Sequence, residues 1–318
     1  MRGAALAVAV GCIGVAVSSW SAPGSAAPAG AGKVCSARRC PAEMAEVDGF
    51  CIDRWEVHTV DVATGARLSP HYPPEPKLLA FVHDYWTVEA PRVGSQRARA
   101  LPLPPLPDVQ RGAFSPRAVS APGELPQGYF TYFSAKRACE NAGKRLCSEA
   151  EWTQACRSRG GTKHPYSDHF EPGRCNVFRN MHPAYELHGN SSLGHLDPRL
   201  GLVWEEGTKP LLLTTGQLPG CVSMTRQDGA VYDMVGNLDE WIEDPEGTFL
   251  GGFFSRSTRD GCEAKIDGHA AIYTDYSLGT RCCAAPQAAT PCTSTGSTAP
   301  AKAGSGASSR TGSSAKGG

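Results

Sequence analysis

Chemistry in this chain would come from its cysteines, its histidines and a few acidic residues beside glycine turns. There are 13 cysteines in 318 residues. None of them form the C-x-x-C pairs of a zinc ribbon, and thiols in this number point to disulfides made in an oxidising compartment. His182, His188 and His195 invite a metal site, but their spacings of six and seven do not give the i, i+4 pair of a helical one. Surface histidines are the expectation. Ser255, His269 and Asp275 can be written down as a hydrolase set, yet no G-x-S-x-G elbow supports it. Lysine plus arginine number 31, as do aspartate plus glutamate, so the overall balance carries no basic footprint for nucleic acid or an anionic membrane.

Three stretches would position such residues. In residues 142–157, AGKRLCSEAEWTQACR, Gly143 closes one helix and Ser148 opens the next, with Glu151 completing a capping box. Trp152, Ala155 and Cys156 follow at i, i+3 and i+4, the apolar stripe of a helix. The run at 134–142 also reads as a helix, with Ala135, Ala138 and Cys139 on one face. Two short helices therefore meet at a tight corner, with Cys139, Cys147 and Cys156 in or beside it. Residues 232–241, YDMVGNLDEW, read as a strand, a turn at Gly236-Asn237 and a strand resuming at Leu238, because Gly and Asn tolerate the left-handed conformation. The third stretch opens at Gly251-Gly252 and closes at Gly279-Thr280-Arg281-Cys282.

The corner GKRLCSEAEW resembles the GKRLPTEAEW corner of the sulfatase-modifying-factor family, the fold of the formylglycine-generating enzymes. YDMVGNLDEW resembles that family's Tyr-x-Met-Val-Gly-Asn-Val-Trp-Glu-Trp, and the third stretch its final segment, from Gly-Gly-Ser to Gly-Phe-Arg-Cys. Residues 44–57, MAEVDGFCIDRWEV, are similar to its opening strand; His164-Pro165-Tyr166-Ser167 and Arg174-Cys175-Asn176-Val177 are similar to two further segments. The resemblance implies an α+β domain, the formylglycine-generating-enzyme variant of the C-type lectin fold, loop-rich and here disulfide-stapled. It also implies a calcium ion at the turn, held by Asp233, Glu240 and the carbonyls of Gly236 and Leu238, oxygen ligands of the kind a hard cation takes. Asn176, with the Val177 carbonyl, would begin a second calcium site.

The family's activity does not carry over with the fold. Active members place two cysteines after Gly-Gly-Ser, in Gly-Gly-Ser-x-x-Cys-x4-Cys, and that thiolate pair binds copper(I). Here Phe253 stands at the serine, Arg256 at the first cysteine and Gly261 at the second, while Cys262 lies one residue beyond. Asp239 stands at the usual first tryptophan of the turn. The expectation is a calcium-stabilised binding or scaffold module, with an unidentified protein or glycan partner. The alternative is a copper-dependent oxidase rebuilt around Cys262 with Cys282 or Cys283.

Residues 1–27 read as a secretory signal, with Arg2 in the n-region and an apolar run too short to span a bilayer, so a secreted or periplasmic protein is expected. Cys12 in Ala9-Val10-Gly11-Cys12 offers lipoprotein anchoring as the lesser reading. Residues 28–40 are a linker in which Cys35 and Cys40 suit a small loop staple, and 41–284 are the domain. In 44–57 a half-buried strand is expected, with Asp53 and Arg54 at its edge. Residues 60–127 are proline-interrupted and read as loops over the core, LPLPPLP among them as a covering loop. Residues 182–220 read as a long loop. Residues 285–318 lack large apolar side chains, cannot bury a core and are expected to be disordered, with Cys292 alone in them.

Overall fold

The Asp48-Gly49 pair has positive φ at both residues, the backbone of a two-residue hairpin turn, and it folds residues 44–53 back on themselves. A computed structural model describes residues 40–205 and 210–287; the leader, Cys12, Cys35 and the 288–318 tail lie outside the described residues. The hairpin consists of β1 (Met44–Val47) and β2 (Phe50–Asp53), antiparallel in register Val47↔Phe50. Next, β3 (Val57–Asp61) pairs antiparallel with β4 (Pro116–Ser120). Between them lie α1 (Pro76–Glu89) and α2 (Gln96–Ala100). The corner follows as α3 (Tyr132–Asn141), β5 (Arg145–Leu146) and α4 (Glu149–Cys156), and then α5 (Pro183–His188). The rest is short strands: β6 (Val222–Met224), β7 (Ala230–Tyr232), β8 (Asp239–Trp241), β9 (Phe249–Leu250), β10 (Lys265–Ile266), β11 (Leu278–Thr280) and β12 (Cys282–Ala284).

The last strand is the organising one. β12 inserts between the N-terminal hairpin and the corner, giving a sheet in the order β1-β2-β12-β5. A second sheet runs β10-β9-β8-β11, with β8 and β11 parallel and Gly279 opposite Glu240. Short strands, five α-helices among the described residues and much irregular chain make this an α+β, loop-rich architecture.

The corner forms as its sequence requires. Ser148 N donates to Glu151 Oε2 at 2.9 Å and Glu151 N to Ser148 Oγ at 3.3 Å, and Thr131 with Ser134 caps α3 in the same way. Gly143 ends α3 at φ +70°. Trp152, Ala155 and Cys156 are buried. All three corner cysteines bond to the C-terminal segment: Cys139–Cys282, Cys147–Cys283 and Cys156–Cys262. Cys175–Cys221 closes the long loop, and Cys40 bonds Cys51 rather than Cys35.

Other expectations are corrected. Residues 60–127 are not merely loops, since α1 is the longest helix among the described residues. Pro76 occupies its first turn, where a missing N–H costs nothing, and none of the next thirteen residues is proline. Leu79, Val82 and Trp86 bury one face of α1 against Leu68, Tyr72 and Phe114, and the LPLPPLP loop covers it through Leu103 and Leu106. Asp53 is not an edge charge. It is fully buried, salt-bridged to Lys144 Nζ at 2.6 Å and accepting Cys282 N at 3.0 Å. His188 is not a surface histidine either, because its Nε2 meets Asp197 Oδ2 at 3.0 Å in the interior. Arg199 shares that aspartate, donates to the Ala90 and Ala98 carbonyls and lies over the Trp86 ring, so one buried ion network ties α1 and α2 to the domain.

Removing the Cys139–Cys282 cross-link by Cys139→Ala with Cys282→Ala is expected to lower unfolding free energy by about 2–5 kcal/mol, read as a shifted urea midpoint. A second expectation concerns His71, whose pKa burial pushes down to about 4. The unfolded chain takes up that proton near pH 6.5, so the stability His71 supplies is complete above that pH and lost as pH falls toward 4. The loss is roughly 3 kcal/mol, and His71→Gln is expected to flatten this acid limb in unfolding curves at pH 4–7.

Candidate functional site

The turn after β7 is built around close backbone approaches. Gly236 has φ +65°, and a Cβ there would stand 1.9 Å from the Asn176 carbonyl oxygen, so only glycine lets the two segments touch. Asn176 is thereby brought to the same turn as the first four candidate ligands, not to a separate place. Its Nδ2 donates to the Leu211 carbonyl and to Asn237 Oδ1, both at 2.8 Å.

Glu240 sits behind the turn with both oxygens engaged. Arg281 Nε donates to Oε2 at 2.7 Å, Arg281 Nη2 to Oε1 at 2.7 Å, and Trp152 Nε1 to Oε2 at 2.7 Å. The carboxylate expected as a calcium ligand is therefore the counter-ion of a fully buried arginine. Arg281 spends its other N–H groups on the carbonyls of Asp53 (3.1 Å), Tyr232 (2.9 Å) and Asp233 (3.3 Å).

A third carboxylate shares this interior. Glu56 accepts Leu238 N at 2.9 Å and Asn237 Nδ2 at 3.2 Å, with no exposed surface. Burial, and then the nearby charges of Asp233 and Glu240, push its pKa well above the carboxylate range. Burial likewise pushes Asp233 up to about 6, although its Oδ2 accepts Gly216 N at 2.6 Å. Three buried carboxyl groups thus share the interior with one guanidinium, and the two not paired with it are pushed toward their neutral forms by burial. Among the described residues no group of three or more His, Cys, Asp or Glu is arranged to chelate a metal by side chains alone, so carbonyl ligands would have to complete a site. Glu56 carries no signal in the sequence: in MAEVDGFCIDRWEV it looks like any polar residue between apolar ones.

The thiol candidates are dispersed. Cys262, Cys282 and Cys283 each bond a different corner cysteine, so the rearranged thiolate site of the oxidase alternative is not assembled. The paper triad is not assembled either. Ser255 Oγ donates to the Met181 carbonyl at 2.6 Å, and Asp275 accepts from Ser277 and Tyr273 instead of His269. His182 meets the Tyr276 hydroxyl at 3.3 Å, and His195 the Ser191 carbonyl at 2.8 Å. Asp239 and Arg256, which stand at the turn's tryptophan and the first copper cysteine of the resembled pattern, meet as an ion pair with Asp239 buried.

Breaking the central pair tests this geometry. Arg281→Met leaves Glu240 buried without its partner and is expected to cost about 3–5 kcal/mol in urea unfolding. Adding Glu240→Gln to Arg281→Met is expected to recover part of that loss.

The family model described as "Sulfatase-modifying factor enzyme 1-like domain" matches residues 21–265. A curated relative, "Inactive C-alpha-formylglycine-generating enzyme 2" of Bos taurus, is 27% identical over 126 residues, which are 37% of this chain and 32% of the relative. The match thus spans about a third of that relative's length. Solved structures similar to the chain include CarF (14% identity, TM-score 0.37, covering 75% of this chain and 87% of CarF). Another is PvdO from Pseudomonas aeruginosa (16% identity, TM-score 0.32, covering 74% and 80%). With the family model matching well over half of its residues, the chain belongs to the sulfatase-modifying-factor family, as an α+β, disulfide-stapled domain of the formylglycine-generating-enzyme type.

Proposed function

We propose that this is an exported binding module of the family that does not generate formylglycine and is stabilised by calcium. The observation that carries the reading is the fate of the sulfur ligands. Cys262 is bonded to Cys156, and Arg256 occupies the position of a thiolate. Copper(I) needs a soft thiolate pair, and a cation such as a guanidinium beside it would repel the metal. The word "Inactive" in the bovine relative's name supports the same reading.

Calcium would take the turn carrying Asp233, Gly236 and Leu238, with Glu56 adding charge and Glu240 shared with Arg281. It would supply structural charge compensation there, in place of protons on buried carboxylates. Disulfides in this number suit an oxidising, extracytoplasmic location.

The test has two readouts. Alkylation and peptide mapping of the unreduced protein is expected to find no free thiol at Cys262, Cys282 or Cys283, and copper(I) titration no stoichiometric binding. Free Cys262 beside a second free thiol would restore the oxidase. In thermal unfolding, calcium at about one hundred times its Kd is expected to add about 3 kcal/mol, reversed by EGTA and absent in Asp233→Ala. No calcium effect on the unmutated protein would refute the calcium part alone.

A further inference from the structure

The helix α1 is apolar on two sides. Leu79, Val82 and Trp86 bury one face in the domain, yet the side turned to solvent is not the polar surface that a helix at the edge of a domain presents. Phe81 is 62% exposed, Val88 51% and Tyr85 50%. Leu78, half-buried, heads the same row. Positions 78, 81, 85 and 88 repeat at three, four and three residues, the spacing of a helix–helix seam. A groove of about 360 Å³ runs beside the row, lined by Phe81 and Tyr85 from α1 and by Ser192, Gly194, His195 and Leu196 from the loop after α5. Leu193 in that loop is 54% exposed. Single apolar side chains at a surface need no explanation, but a gathered set of large ones marks a contact site.

The composition of the chain's own ends excludes them as the cover. Residues 28–39 and 288–318 contain no Leu, Ile, Met or aromatic side chain, and a single valine, Val34. Nothing in them fills an aromatic groove. A second copy of α1 does, because the row is self-complementary. Leu78 and Val88, like Phe81 and Tyr85, are equally spaced about the level of His83. A two-fold axis at that level therefore lays Leu78 of one copy on Val88 of the other, and Phe81 on Tyr85.

The charges select the same arrangement. Lys77 stands at the start of the row with no ion pair of its own. Asp84, seven residues on, meets only the neighbouring His83, at 3.5 Å, and Glu89 closes the helix. Parallel helices would set Lys77 on Lys77 and Asp84 on Asp84, like charge on like. Antiparallel helices turn Lys77 of each copy toward the acidic half of the other and oppose the two helix dipoles.

We propose that α1 is the contact helix of a symmetric dimer of this chain, packed antiparallel through Leu78, Phe81, Tyr85 and Val88, with rings of the second copy filling the groove beside the row. The proposal is independent of the binding-module reading. A helix of this length spans only about 21 Å, so the contact is small and the dimer reversible rather than obligate.

The experiment is sedimentation velocity on the full exported chain over a wide concentration range. The expected result is a monomer–dimer equilibrium whose dissociation constant rises roughly tenfold or more in Phe81→Glu. Lys77→Glu is expected to weaken the dimer, and adding Asp84→Lys to it to recover part of the loss. All three side chains are exposed, and urea midpoints matching the parent separate lost contact from lost folding. A monomer at every concentration would overturn the proposal, as would a dimer indifferent to Phe81→Glu, which would be seated elsewhere. Failure of the charge swap to recover any affinity would overturn the antiparallel arrangement. A monomer that floats with phosphatidylcholine vesicles, and ceases to in Phe81→Glu, would assign the row to a lipid surface and overturn the dimer.

Discussion

The guanidinium of Arg281 has no exposed surface to speak of and five polar partners, and the fold closes on it. It reaches the carbonyl that ends β2, two carbonyls that lead out of β7, and both oxygens of Glu240 on β8. Taking that charge out of water is costly, and the cost is met only when every N–H has an acceptor in place. The residue next to it in sequence opens β12, so satisfying Arg281 and inserting the last strand between hairpin and corner are one event. Trp152 completes the node by donating to the same glutamate, which locks the face of α4 to the turn.

Disulfides reinforce the same closure. Cys282 and Cys283 point to opposite sides of β12, as neighbours on a strand must, and so bond different parts of the corner, one on α3 and one ahead of α4. Cys262 ties α4 to the segment that would otherwise carry a metal thiolate. The cross-links thus consume the sulfur on which the oxidative chemistry of the resembled enzymes depends. Among the described residues the cysteines are spent on holding a loop-rich domain together.

How far the sequence could be read varied with how local the interaction was. Both helices of the corner, the Ser148–Glu151 box and the Gly143 exit follow from contacts within four residues, and those appear in the structure as the sequence implies. In 60–127 the density of prolines masked α1, although Pro76 begins it, because a proline in a first turn and a proline that breaks a helix look alike until the packing face is known. Spacing places His188 on the surface, whereas its partner Asp197 and the shared Arg199 come together only through the path of the loop. Asp53 has the same history: a charged residue reads as exposed until the chain supplies its counter-charge, here Lys144, from elsewhere.

By itself the sequence determined the capped corner, the tight turn at Gly236, the family and the loss of the paired thiolates, since each of these depends on residue type at short range or on ordered motifs. Tertiary structure alone decided which cysteines bond, which carboxylates share the interior with Arg281, and that Asp239 and Arg256 answer one another. Those are pairings over separations from 11 residues to more than a hundred. Spacing in sequence carries no information about them, because what brings the partners together is the burial of the segments between them.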